Sequence, residues 1–240
     1  MSDPDRRPLG VVVDLDDTLY PQAAYLAGAA LDVAAAAAAA GLDGAAVHSA
    51  LAAQLAAGSD TGGTIDRALL AVGVPAADLP ALVPPLVAAF TRHLPERLPT
   101  YPGVPAALRA LADAAPLGCL TDGHPGIQAA KLAATGLGEL LPVVVVTDAL
   151  GGRSLRKPHP AGLHAVADAL GVPADRLLVI GDRPGKDVAV AAAVGARAIR
   201  VRQGEHAGAP DDPAAEAVTS TFPEAVALAL AALGRPVPTG

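Results

Sequence analysis

Gly10-Val11-Val12-Val13-Asp14-Leu15-Asp16-Asp17-Thr18-Leu19-Tyr20 decides how the rest of this chain is read. Three consecutive valines predict a short strand, fully buried. Such a strand cannot run on into three acids, because a buried charge without a partner is very costly. It therefore ends near Asp14 and presents Asp14 and Asp16 at its carboxyl end, where ligands sit in an open parallel sheet. Two carboxylates two residues apart repel each other unless a cation or a proton lies between them. The stretch predicts an acidic, cation-demanding site at the tip of a core strand.

Beyond Tyr20 the texture changes. From Pro21 to about Pro99 no β-branched run occurs, and alanine-rich segments alternate with Gly, Pro and Asp. Alanine is the best helix former, so helices are predicted over roughly Gln22–Ala40, Asp43–Ala57, Thr64–Val72 and Ala76–His93. Gly41, Gly58 and Gly73 stand where C-terminal caps belong, and Asp43 with Thr61 or Thr64 where N-caps belong. The block reads as a small helical bundle inserted directly after the acidic strand.

From Tyr101 the rhythm is α/β. Strands are predicted at Leu117–Leu120, Val143–Val146, Leu177–Ile180, Ala198–Val201 and near Ala217–Thr219. Helices are predicted at Val104–Ala114, Ile127–Thr135, Ala161–Leu170, Val188–Val194 and Glu224–Leu233. Val143–Val146, a bare valine run, is expected to be buried. This alternation implies an α/β fold, a Rossmann-like, mostly parallel sheet flanked by helices on both faces. The division expected is a core of residues 1–20 and 99–240 and an insert of residues 21–98.

Composition narrows the function classes. The chain has 240 residues, 52% of them hydrophobic and 17% charged, which is the composition of a folded protein and not of a disordered one. Its net charge of −7 makes it a poor nucleic-acid binder, and aromatics at 2% leave little for base stacking. The single cysteine, Cys119, excludes an internal disulfide and a cysteine zinc cluster, and its apolar neighbours predict a buried thiol. No apolar run is expected to reach the ~18 residues of a membrane helix. The polar start, Met1 to Pro8, and the acids that follow do not read as a signal peptide. The expectation is a soluble, cytoplasmic protein with no nucleic-acid or membrane partner. Oligomeric state is not readable.

Four signals collect on one edge of the predicted sheet: Asp14-x-Asp16-x-Thr18, Thr121 after its strand, Lys157 followed by Pro158, and Gly181-Asp182 with Asp187 five residues on. Each alone is weak. As an ordered set, each at a strand end or in a loop, they resemble the haloacid dehalogenase superfamily of aspartate-nucleophile phosphotransferases, in its phosphatase branch. The resemblance spans nearly the whole chain.

A carboxylate that attacks a phosphoryl group splits one hard step into two through an aspartyl-phosphate. Asp14, first past the strand, is best placed for that attack. Asp16 can protonate the leaving oxygen and then take a proton from the hydrolytic water. The resemblance assigns the same two roles. A magnesium ion held by Asp14, the Asp16 carbonyl and Asp182 would supply the positive charge, and Asp187, similar to the family's second acid, would orient a metal-bound water. Lys157 can hold Asp14 and a phosphate oxygen together. The Thr121 hydroxyl and the Asp122 and Gly123 amides can donate to phosphate oxygens. Asp17 reads as structural. His124, Arg153, Arg156 and Arg183 lie near enough to the edge to be weighed as substrate contacts, against the plainer reading of solvated loop residues.

The insert after the nucleophile strand can act as a lid, hinged near Tyr20–Pro21 and Leu98–Pro102. In the family such an α-helical cap marks enzymes acting on small, diffusible phosphate esters. The reading is a magnesium-dependent phosphatase of a small phosphomonoester. A phosphomutase or phosphotransferase acting on a sugar phosphate is the nearest alternative, and a catalytically silent binding protein on the same fold is the other. A hydrolytic dehalogenase is disfavoured, because that branch lacks the acid that here is Asp16.

Overall fold

The computed structural model describes residues 7–236, so most of the polar start weighed against a signal peptide lies outside the described residues. Six strands form one sheet: β1 (Gly10–Val13), β2 (Leu117–Thr121), β3 (Val143–Val146), β4 (Leu177–Gly181), β5 (Arg197–Val201) and β6 (Ala217–Thr219). Their order is β3-β2-β1-β4-β5-β6 and every pairing is parallel. The three valines of β1 are fully buried because β1 lies at the centre, between β2 and β4. The chain winds from β1 to one side through β2 and β3 and then to the other through β4, β5 and β6. Such a reversal opens a crevice at the carboxyl end of the central strands.

Helices α5 (Val104–Ala114), α6 (Pro125–Thr135), α7 (Ala161–Leu170), α8 (Ala189–Ala193) and α9 (Phe222–Ala232) flank the sheet. Val12 and Val179 pack with Leu163 and Val166 of α7 and Val190 and Ala191 of α8 in one core cluster. Successive strand side chains alternate between faces, so Val11 and Val13 point the opposite way. Val143–Val146 departs from expectation: β3 is half-buried, because it forms an edge of the sheet and has a strand on one side only.

The chain folds into two compact units, Met1–Pro21 with Pro99–Gly240, and Gln22–Leu98. The second unit consists of α1 (Gln22–Ala39), α2 (Gly44–Ala57), α3 (Thr64–Ala71) and α4 (Leu79–Thr91) around Val33, Ala37, Val47, Leu51, Ile65, Leu69 and Leu86. Asp43 caps α2, accepting from the amides of Ala45 and Ala46 at 3.0 Å each. At the start of α3 the cap position belongs to Gly63, in place of the threonines expected, while Thr61 turns its hydroxyl to the Gly58 carbonyl.

Helix α1 departs from the expectation that no apolar run reaches the length of a membrane helix. With 18 residues and a mean hydropathy of 1.3, α1 is long and apolar enough to cross a membrane by length and composition. Its alanines score as apolar although each carries only a methyl group. The helix packs against α2 and α4 in this unit, and its Asp32 carboxylate lies 2.7 Å from His93 Nδ1.

Candidate active site

Parallel register sets the site. Val13 aligns with Cys119 of β2 and with Ile180 of β4, so Asp14, Thr121 and Asp182 leave the sheet at one edge. Asp14 and Asp182 are buried, as are Lys157 and Asp187 from the loops above them. Lys157 Nζ donates to Asp14 Oδ1 at 2.5 Å, to Asp187 Oδ1 at 2.6 Å and to the Leu120 carbonyl at 3.1 Å. The lysine thereby bridges the predicted nucleophile and the second acid of the β4 loop. Thr18 Oγ1 lies 3.4 Å from the other Asp14 oxygen. Asp187 Oδ2 accepts from the Arg183 amide at 2.9 Å, which closes the turn after Asp182. Gly181 is required beneath it, since a Cβ there would overlap the Asp187 carboxylate.

Asp14, Asp182 and Asp187 each offer a carboxylate oxygen, and those oxygens lie within 4.8 Å of one another. Both Asp182 oxygens are buried and meet no hydrogen-bond partner among the described residues, and the same holds for the Thr121 hydroxyl. Orphaned buried acceptors beside two further acids fit a hard, oxygen-seeking cation such as magnesium. The orphaned hydroxyl of Thr121 is a donor without an acceptor.

The family model for haloacid dehalogenase-like hydrolases matches residues 9–195. The chain belongs to that family. Among curated relatives, the phosphoglycolate phosphatase of Rhodospirillum rubrum is 36% identical over 197 residues, 78% of this chain and 77% of the relative. The phosphoserine phosphatase of Thermus thermophilus is 35% identical over 135 residues, 54% of this chain and 50% of that one. These relatives place the hydrolase on the phosphatase branch. A family hydrolase from Deinococcus radiodurans, solved with bound phosphate and sodium, superposes with a TM-score of 0.67 at 25% identity, over 98% of this chain and all of that one. A 2-haloacid dehalogenase from Pseudomonas syringae shares the fold, with a TM-score of 0.62 at 23% identity over 92% and 97% of the two chains.

The charge balance of this haloacid dehalogenase-like site is uneven. Burial, then repulsion from Asp187, Asp14 and Asp17, pushes the Asp182 carboxyl up to about 10. Burial also raises Asp14, with Lys157 opposing it and Asp187 adding to it. Lys157 moves well above its ordinary value: burial alone would lower it, but Asp14, Asp187 and Asp122 outweigh that. Asp16 goes the other way from its neighbours. Burial would raise it, yet the Lys131 ammonium and hydrogen bonds from Lys131, Tyr20 and Gln128 hold it below the usual carboxylate range. The Cys119 thiol is buried, as expected, and burial raises it.

The turn after β2 is fixed by its own aspartate. Asp122 Oδ1 accepts from Thr147 Oγ1 at 2.9 Å and from the Lys157 amide at 3.0 Å, and Lys186 Nζ lies 3.1 Å from Oδ2. The side chain of Asp122 thus ties three strand-end loops together, while Gly123 adopts a positive φ of 128° in the same turn. His124 caps α6 with its ring, accepting from the Gly126 amide at 3.2 Å. Arg156 forms a fork on Asp148, with both bonds at 2.6 Å. Arg183 lines a cleft of about 490 Å³ beside Lys157, together with Lys186, His206 and Asp212.

Two supports were not legible in the motifs, and a third, Asp17, reads as structural from the sequence. Arg200 on β5 is fully buried and spends its guanidinium on the carbonyls of Asp182, Ala209 and His206 and on the Asp211 carboxylate. It binds the loop after β5 to the β4 end. Asp17 adopts φ of 56°, a conformation few non-glycine residues tolerate, and its Oδ2 accepts from the Glu205 amide at 3.1 Å. Lys131 and Gln128 on α6 hold the Asp16 carboxylate.

Gly204 is the contact point of that stitch. Its φ is +63° and a Cβ would overlap the Asp17 carboxylate. Gly204→Ala is therefore expected to cost about 2 kcal/mol or more in stability, from strain and the lost Glu205 bond. Thermal unfolding checks this: an unchanged midpoint would mean that the loop does not seat on Asp17.

Proposed function

We propose that this hydrolase is a magnesium-dependent phosphatase that cleaves a small phosphomonoester through an aspartyl-phosphate on Asp14. The observation that carries the reading is the buried Asp14–Lys157–Asp187 cluster with Asp182 beside it, its two oxygens lacking hydrogen bonds. An Asp14 oxygen attacks phosphorus, and Lys157 both fixes that carboxylate and supplies positive charge beside the transferring group. Asp16 serves as acid for the leaving oxygen and as base for the water in the second half-reaction. Thr121 and the amides of Asp122 and Gly123 donate to the phosphoryl oxygens. Asp14, the Asp16 carbonyl, Asp182 and Asp187 would hold the magnesium ion, which supplies charge neutralisation to a trianionic transfer. The relatives direct the substrate choice: we assign a small ester carrying a carboxylate, with phosphoglycolate the first to test. The helical unit inserted between Pro21 and Pro99 is assigned to substrate selection, and the cytoplasm to the place of action.

The test is release of inorganic phosphate from an aryl phosphate and from a panel of phosphorylated metabolites, with magnesium and with excess chelator. Phosphate release only with magnesium, and best on a carboxylated ester, is expected. Undiminished turnover in chelator would remove the metal from the reading, and an aluminium-fluoride adduct on Asp14 would exclude a silent binding protein.

Metal binding also has a pH signature. Asp182 titrates higher in the folded protein than in the unfolded chain. Its contribution to stability is full below the ordinary carboxylate range and is lost as pH rises through the folded value, so the metal-free protein is weakened toward alkaline pH. Magnesium competes with that proton. The rise in melting temperature on adding magnesium is expected to be larger at about pH 8 than at about pH 5. Equal shifts at both would mean that the ion does not bind at Asp182.

A further inference from the structure

The carboxylate of Asp16 is gripped on both oxygens. Lys131 Nζ lies 2.7 Å from Oδ1 and 2.9 Å from Oδ2, Gln128 Nε2 donates to Oδ2 at 3.1 Å, and Tyr20 Oη donates to Oδ1 at 2.6 Å. Lys131 and Gln128 are 4% and 2% exposed and stand three residues apart, on one face of α6. Burying a lysine on an alanine-rich helix is costly unless its charge is partnered, and the partner here is Asp16. Gln128 also donates to the Asp122 carbonyl, so the same helix face touches the turn that follows Thr121. Three donors on two oxygens, Lys131, Gln128 and Tyr20, restrict the rotation of a carboxylate, which a single hydrogen bond does not.

We infer that Lys131, supported by Gln128, is a positioning residue for Asp16 and fixes the direction in which its carboxyl meets the ester oxygen that departs. This rests on the acid–base duty proposed above for Asp16. The resting Asp16 is a carboxylate, the form Lys131 favours, and the monoanionic ester brings the proton. In the first step an Asp14 oxygen bonds to phosphorus, the ester P–O bond breaks, and the leaving oxygen takes that proton through Asp16. In the second step a water oxygen bonds to phosphorus, the acyl-phosphate P–O bond breaks to restore Asp14, and Asp16 takes the water proton. An alkoxide needs the first proton at departure, whereas a nitrophenolate leaves without it. Misaligning Asp16 therefore penalises alkyl esters and spares activated aryl esters.

The experiment compares Lys131→Met, Lys131→Arg and Gln128→Ala with the unaltered enzyme on an alkyl phosphate and on a nitrophenyl phosphate, at saturating magnesium. For Lys131→Met, kcat on the alkyl ester is expected to fall by about 30-fold or more and on the aryl ester by less than about 3-fold. KM is expected to hold for both, and Lys131→Arg to recover much of the alkyl rate. Equal losses on the two esters, or none on the alkyl ester, overturn the inference. If Lys131→Met does not fold, Gln128→Ala decides by the same split, smaller but in the same direction. If the unaltered enzyme cleaves neither ester, the phosphatase reading is what fails. Crystal structures of the unaltered enzyme and the variant then judge the positioning: an Asp16 carboxylate that keeps its place without Lys131 overturns it, and one that swings away upholds it.

Discussion

Asp14→Asn is expected to stop phosphate release, with kcat falling by about 10⁴-fold or more, while the protein keeps its fold. An amide cannot form the acyl phosphate, and no other described carboxylate projects from the end of β1 with Lys157 and Thr18 on its two oxygens. The fold should survive because the change removes one of the two buried acids that share Lys157, beside a third, Asp182. Without the Asp14 charge, Lys157 still pairs with Asp187 at 2.6 Å. The melting temperature of the metal-free variant is expected to match or exceed that of the unaltered protein. Phosphate release measured beside thermal unfolding checks both halves. Normal turnover would show that Asp14 is not the nucleophile, and a large drop in melting temperature would show that its charge is structural.

Lys157→Met is expected to be damaging in both respects. The ammonium is 4% exposed and serves Asp14, Asp187 and the Leu120 carbonyl together. Removing one partner from a buried ion pair costs about 3–5 kcal/mol, because the charges left behind are uncompensated. In a chain of this size that is a fall in melting temperature on the order of 10 °C. Turnover should fall by about 10³-fold, since the variant also loses the positive charge beside the transferring phosphoryl group. Magnesium should restore part of the stability and little of the turnover, because it neutralises the acids without replacing the contact to Asp14. Calorimetry with and without the ion reads this directly. A variant as stable as the parent would mean that the acids are protonated or shielded by other groups.

Much of this was legible in the chain because the site is made from strand ends. A valine run that stops at an acid announces both a central strand and its functional edge, and Thr121, Lys157 and Asp182 follow the same grammar. What escaped reading has a common cause: polar residues inside regular elements look solvated until their cover is known. Arg200 sits between Ile199 and Val201, where alternation sends it to the outer side of a strand. It is buried only because the loop carrying His206, Ala209 and Asp211 folds over it. Gln128 and Lys131 read as the polar face of an ordinary helix. The available signal was their spacing of three, within ten residues of Thr121, on a helix whose other residues, Thr135 apart, are small or apolar. The half-buried state of β3 was hidden for another reason: four valines specify a strand but say nothing of how many strands lie beyond it.

The backbone amide of Tyr101 donates to the carbonyl of Leu19 at 3.1 Å. The chain thus comes back, after some eighty residues, to the point it left, and the return is sealed by a main-chain bond that no side chain dictates. Topologically those residues are a detour: the parallel sheet and its acidic edge are complete on either side of it. If the inserted unit selects the substrate as proposed, mutation and recombination could lengthen, shorten or exchange the detour and leave the proposed phosphoryl chemistry untouched, so that changes of substrate and changes of mechanism would proceed on separate parts of one gene.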